Sequence, residues 1–222
     1  MPIQVLDFDG NPNIGVFALA TDNFALVPTT LRPKIIKIVE DSLKVPAIKI
    51  NICGSPLIGV FSVGNSNGLV VSRFTLTEEI RVLKEKLKIN IEPLPDKHTA
   101  VGNLVLVNDH GAIANPSLSK TAIKVLEDTL DVEVVKGIIA NMRTVGSIAV
   151  ATNKGILTHP NTTEQELKWL EEVLCVPTNI GTVNRGTPFI GVCMVANTKG
   201  AIVGSLTTGP ELARIEESLG FL

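Results

Sequence analysis

Ile14-Gly15-Val16-Phe17, Ile58-Gly59-Val60-Phe61, Val101-Gly102-Asn103-Leu104, Val145-Gly146-Ser147-Ile148 and Ile190-Gly191-Val192-Cys193 recur at steps of 44, 43, 44 and 45 residues. A fixed period of this size marks a repeat architecture and decides the fold before any single element is considered. Six residues past each glycine stands Thr21, Asn65, Asn108, Thr152 or Asn197. Nine past it stands Gly68, Gly111, Gly155 or Gly200, with Phe24 in the first unit. Apolar runs lie on both sides of this segment, and two such runs joined by residues that tolerate positive φ read as a β-hairpin. Phe24 predicts a different turn in unit one.

Positions 21, 24 and 28 past the glycine are apolar in every unit, as in Ile123, Leu126 and Leu130. Steps of three and four place them on one face of a helix. Thr75 with Glu78, Thr162 with Gln165, and Thr208 with Glu211 predict capping boxes at three helix starts. A β-prone segment follows each of the first four helices, at 48–52, 89–91, 132–135 and 178–183. The fifth unit ends at Phe221-Leu222 without one. Gly10-Asn11-Pro12-Asn13-Ile14-Gly15 matches Gly54-Ser55-Pro56-Leu57-Ile58-Gly59, which follows a third strand. Residues 3–8 are therefore the expected third strand of unit five, closing the units into a ring without exposed strand edges. The expected organisation is one mixed α/β domain over 1–222. Its repeats are 14–56, 57–99, 100–143, 144–188 and 189–222, with the closing strand inside 1–13, around a shared core.

The 222 residues are 45% apolar and 19% charged, which excludes a disordered chain. Three Cys exclude a disulfide scaffold. A net charge of −2 speaks against a general DNA or RNA coat, because non-specific affinity rests on many Lys/Arg–phosphate contacts. Residues 14–99 carry +3 and the rest −5. Mean hydropathy is +0.32, yet no apolar run reaches the ~20 residues that span a bilayer. The N-terminus has no signal-peptide pattern, so the expected compartment is the cytoplasm.

No P-loop, G-x-G-x-x-G, G-x-S-x-G, H-E-x-x-H or C-x-x-C motif occurs. Cys53, Cys175 and Cys193 fall in different units, and Cys193 occupies a position that is apolar elsewhere. His98, His110 and His159 are scattered in loops, and His159 reads as a solvated loop residue or the one His available for chemistry. No spacing predicts a metal site. Trp169 reads as a half-buried helix flank. Asn65, Asn103, Asn108, Asn141, Asn184 and Arg185 sit near unit ends, which a ring would gather on one face. That reads either as turn chemistry or as a polar recognition face.

Val63-Gly64-Asn65-Ser66-Asn67-Gly68-Leu69, Asn103-Leu104-Val105-Leu106-Val107-Asn108-Asp109 and Gly181-Thr182-Val183-Asn184-Arg185-Gly186, within the five-unit layout, resemble the translation initiation factor 6 family in its short archaeal form. The resemblance covers the whole chain. It implies the pentein fold, a five-bladed propeller of βαβ-type units with pseudo-fivefold symmetry. It implies a non-catalytic factor without cofactor or metal, which binds the intersubunit face of the large ribosomal subunit. There it blocks small-subunit joining sterically and takes part in large-subunit maturation. The implied partners are ribosomal protein uL14 and the neighbouring sarcin–ricin loop RNA, with no DNA, no membrane and a monomeric state. Asn103 matches a family contact position, and Asn65 lies in a matching segment. With Asn108, Asn184 and Arg185 they make the expected ribosome-binding set. Val60 stands where eukaryotic members often carry Arg, and their long C-terminal tail has no counterpart. Penteins also include guanidino-modifying enzymes, but the units here lack the long loops that carry such sites. A ring-shaped adaptor for another protein is the third reading.

Deleting residues 1–9 should expose a strand edge in unit five and lower the thermal unfolding temperature far more than terminal fraying would. An unchanged unfolding curve would refute ring closure.

Overall fold

The computed structural model describes residues 2–221. Each unit opens with a one-turn helix, continues into an antiparallel hairpin and a long helix, and returns in a third strand parallel to the second. In unit three these are Val101–Leu104, Val105–Val107 with Ala112–Ala114, Lys120–Leu130 and Val134–Lys136. The result is five three-stranded sheets. Ile3–Leu6 pairs in parallel with Gly200–Gly204, Ile3 opposite Ala201 and Leu6 opposite Gly204. The N-terminal segment thus supplies the third strand of unit five, as the sequence predicts.

The Ile/Val-Gly segments are not the beginnings of strands. They form the helices Ile14–Phe17, Ile58–Phe61, Val101–Leu104, Val145–Ile148 and Ile190–Cys193. A Cβ on Gly59 would strike the carbonyl oxygen of Gly15, and one on Gly102 would strike that of Gly59. Gly146 meets Gly102, Gly191 meets Gly146, and Gly15 meets Gly191, so the contacts return to their origin. Backbone meets backbone around the axis, and no side chain fits between.

The first strands run from this glycine end to a turn end, where the hairpins reverse. They line an axial channel of about 100 Å³. At the turn end, Asn153 Nδ2 donates to Asp109 Oδ2 at 2.6 Å and Asp22 Oδ2 at 2.8 Å across the mouth. Ser66 and Thr198 donate to the same two carboxylates, which closes the mouth with a hydrogen-bonded network.

A channel lined mainly by Gly, Ala and Val, with Leu19, Ser62, Leu106 and Met194, leaves no room for one central core, and the expected shared core is replaced by five. Each straddles two consecutive units. Val70 and Leu94 of unit two pack with Leu118, Leu126 and Leu130 of unit three, and Ile202 of unit five packs with Val39 and Leu43 of unit one. The helical stripe is the wedge. Position 24 is buried in all five units, and position 28 in all but Leu87, which is half-buried.

Where the residue six past the axial glycine is Asn, in units two, three and five, it locks the junction to the next unit. Asn65 Nδ2 donates to Asn108 O at 3.2 Å and to Leu130 O, at the C-terminus of the next long helix, at 2.8 Å. Asn108 binds Thr152 O and Leu174 O in the same way, and Asn197 binds Thr21 O and Leu43 O. The turn glycine lets the hairpin approach: a Cβ on Gly68, Gly111, Gly155 or Gly200 would hit Thr129, Val173, Ser218 or Ser42 backbone oxygen. Unit one keeps the same turn hydrogen bond, Thr21 N to Phe24 O at 2.9 Å, so the expected change of turn does not occur. Phe24 instead fills the seam to unit two with its side chain, packed with Leu69 and Leu83.

A lost hydrogen bond that leaves a buried carbonyl unpaired costs about 1–3 kcal/mol. Asn108→Ala frees two such carbonyls and should lower unfolding stability by about 2–4 kcal/mol in a denaturant titration. Thr152 has no amide to offer unit five, although Gly155 already sits against Ser218. Thr152→Asn should add the missing clamp and raise stability by about 1 kcal/mol.

Candidate interaction face at the glycine end

The glycine end is built from the loops after the second strands, the ends of the third strands and the one-turn helices. The chain enters four of those helices through turns with positive φ, at Asp9 (51°), Cys53 (58°), Ala140 and Asn141 (48° and 60°), and Asn184 and Arg185 (47° and 61°). Such turns point successive N–H groups at one spot, an anion-binding arrangement. A glutamate in the first turn of the following long helix fills the last three. Glu79 accepts Cys53 N at 2.9 Å and Gly54 N at 2.8 Å. Glu166 accepts Ala140 N at 2.9 Å, and Glu211 accepts Gly186 N at 2.8 Å and Arg185 N at 3.2 Å. The same carboxylates accept the N-cap amides of Leu76, Thr163 and Thr208. Two of the three predicted caps thus lie one residue later than expected, because the glutamate that also reaches the turn sets the helix start.

Burial pushes the Glu211 carboxyl up, but bonds from Thr208, Gly186 and Thr182 outweigh it and hold it at about 2. Unit three reverses the device. Asp96, in the incoming loop, accepts Ser119 N at 2.9 Å and contacts His98 Nδ1 at 2.7 Å. Burial again acts upward, and the bonds from Ser119 and His98 hold Asp96 well below the usual carboxylate range. These four carboxylates, turned inward onto backbone, brace this end.

The structure divides the expected recognition residues between the two ends. Asn103 lies half-buried in its one-turn helix beside Gly102, and its side chain bonds to no other described residue. Arg185 is exposed, its backbone held by Glu211 and its guanidinium unpaired among the described residues. Asn184 is at the same end but buried. Its amide donates to Pro12 O at 2.9 Å and its oxygen accepts Thr207 Oγ1, so it seals the closing segment. Asn65 and Asn108 stand at the opposite end, 3% and 4% exposed, with their amides spent on the unit junctions. They leave the candidate face because helix C-termini need the donors that solvent would otherwise see.

What sequence reasoning missed is apolar. The large exposed hydrophobics, Phe74, Leu76, Ile138, Phe189 and Leu206, all lie at the glycine end. Phe74 is 59% exposed with the Arg73 guanidinium 4.9 Å from its ring centroid. The signal was present in the repeat alignment: Phe74 and Leu206 occupy a loop position that is Thr30, Ser117 or Asn161 elsewhere. Arg32, Arg73, Arg143 and Arg185 share this end and are exposed. Arginine beside exposed aromatic side chains is a composition enriched at protein interfaces.

Nothing at this end assembles a nucleophile. Burial, and then the Glu211 charge, push the Cys193 thiol up, and its Sγ lies 3.5 Å from Asn13 Oδ1. His159 is buried rather than solvated, and its Nδ1 accepts Asn161 N at 3.0 Å, with burial lowering its proton affinity. Trp169 is half-buried, as expected, with its ring against Gly137. No cluster of three or more His, Cys, Asp or Glu fit for a metal occurs among the described residues, and no helix there is long and apolar enough to cross a membrane.

The fold is a closed ring of five like units. The eIF-6 family model matches residues 3–218. The chain is 40% identical to translation initiation factor 6 of Pyrococcus horikoshii and 43% identical to that of Pyrococcus abyssi, over the full length of both chains in each case. It is 44% identical to translation initiation factor 6 of Methanosarcina mazei over 99% of each chain. The chain belongs to the eIF-6 family, which places it among translation initiation factors and outside the enzymes.

Glu211 gives a pH test. A carboxyl held below its usual 4.5 contributes stability that is full above pH 4.5 and is lost as pH falls through about 2. Glu211→Gln should lose of order 3 kcal/mol at pH 7 and show a shallower decline in stability between pH 5 and 2.

Proposed function

We propose that the protein docks by its glycine end on the intersubunit face of the large ribosomal subunit and blocks small-subunit joining by occupying the space. The contacts are ribosomal protein uL14 and the neighbouring sarcin–ricin loop RNA. The factor acts as a monomer in the cytoplasm, as one domain, and accompanies the maturing large subunit.

The observation that carries this reading is the concentration of exposed apolar residues and arginines at one rigid end. Exposed apolar groups of this kind mark protein interfaces. A standard interface of ~1,600 Å² takes about 20–30 residues a side, which one end of a five-unit ring can supply. Asn103 and Arg185 provide polar contacts, and Phe189 and Leu206 provide apolar anchors. The arginines suit RNA phosphates beside a mainly proteinaceous contact, in keeping with a net charge of −2.

Sedimentation tests it. The purified protein should migrate with large subunits alone and reduce joined ribosomes when small subunits are added. Asn103→Asp should weaken that co-migration with a stability change within about 0.5 kcal/mol, because its side chain holds nothing in the ring. Wild-type protein that stays at the top of the gradient with large subunits present would refute the reading.

A further inference from the structure

All five long helices run from the glycine end to the turn end, so five partially positive N-termini share one end and five partially negative C-termini the other. Formal charges follow the same axis. Four of the six arginines are exposed at the glycine end, and Arg81 and Arg214 lie on helices paired with neighbouring glutamates. At the turn end, positions 25 and 26 past the axial glycine are Glu40-Asp41, Glu127-Asp128, Glu171-Glu172 and Glu216-Glu217. Unit two has Lys84-Glu85 instead. None of the four acidic helices has a basic residue in its last turn.

That is the wrong sign for helix stability, since carboxylates near a C-terminus oppose the dipole. Part of it has a structural use: Glu40 accepts Ala47 N at 3.0 Å and Glu171 accepts Thr178 N at 2.9 Å. The second member of each pair has none of that kind. Asp41, Asp128 and Glu172 are exposed and accept no hydrogen bond from described residues, and Glu217 meets only Arg214. Asp22 and Asp109 add their charge at the channel mouth of the same end. Three units thus keep an unpartnered, unfavourable charge at one symmetric position, and a fourth keeps one offset by Arg214.

We propose that the turn end is a polyanion-excluding face. It forces the protein to meet RNA-rich surfaces by the glycine end. Once docked, it presents a negative field to a second RNA-rich body approaching from outside. The small subunit is then opposed by charge as well as by volume. The docking half of this rests on the proposed function, whereas the exclusion of polyanions does not. The field acts over a Debye length of about 8–10 Å, so it weakens as salt rises.

Asp41→Lys/Asp128→Lys/Glu172→Lys is compared with wild type for binding labelled single-stranded poly(U) and for co-sedimentation with purified large and with purified small subunits. The lysine variant should bind poly(U) at least about tenfold tighter at low salt, and the gain should fade as salt is raised. It should keep large-subunit binding and newly retain small subunits. The neutral variant Asp41→Asn/Asp128→Asn/Glu172→Gln should unfold at a higher temperature than wild type. Equal poly(U) affinity of wild type and lysine variant overturns the proposal, as does a neutral variant that is less stable than wild type. Failure of wild type to bind large subunits would instead remove the proposed function and leave the poly(U) comparison standing.

Discussion

Five backbones meet at the axis with nothing between them but glycine Cα atoms and carbonyl oxygens. Everything else in the molecule is arranged around that approach. A side chain larger than hydrogen at any of the five positions would push two units apart and break the ring at once. Because the axis is backbone, the apolar side chains must bury themselves elsewhere. The long helices therefore wedge between neighbouring sheets and make five peripheral cores instead of one. Each unit buries its stripe only with a neighbour, so stability and closure are coupled.

The two ends of the ring use similar residues for different work. At the turn end, buried asparagines supply donors to helix C-termini that would otherwise hold unpaired carbonyls. At the glycine end, glutamates take up N–H groups that point outward from left-handed turns. Both devices remove polar groups from the surface. What remains exposed at the glycine end is a set of apolar groups and four arginines beside Asp9, Glu78 and Glu164, whereas at the turn end exposed carboxylates outnumber exposed lysines. The charge is thus divided along the axis as well as between the first two units and the rest. A near-neutral protein can then carry a directional field.

The docking proposed for this member of the eIF-6 family needs a rigid surface, not a reactive group. The turns at Cys53, Ala140 and Arg185 and the carboxylates that fill them supply rigidity, and Phe74, Phe189 and Leu206 stand exposed at the same end. The histidines and cysteines are absorbed into packing or loops, consistent with a non-catalytic member of the family.

The period of 44 residues, the hairpins, the long helices and the closing strand were legible because each leaves a local pattern repeated five times. Repetition turns weak single signals into a strong one. The one-turn helices were not legible: Ile58-Gly59-Val60-Phe61 is as apolar as a strand, and only the neighbour's carbonyl against Gly59 makes a helical turn the fit. The candidate face was half legible. Asn103 and Arg185 stand where the repeats place them, but Asn65 and Asn108 are indistinguishable from surface asparagines until the next unit's helix is brought to them. Phe74 and Leu206 read as ordinary apolar residues until burial separates them from the core. Sequence periodicity alone determined the number of units, their elements and how the ring closes, since these depend on spacing along one chain. Which polar groups face water, and which end is free to bind, depended on contacts between units. Only the tertiary structure decides those, because a donor's fate rests on where another unit's carbonyl lies.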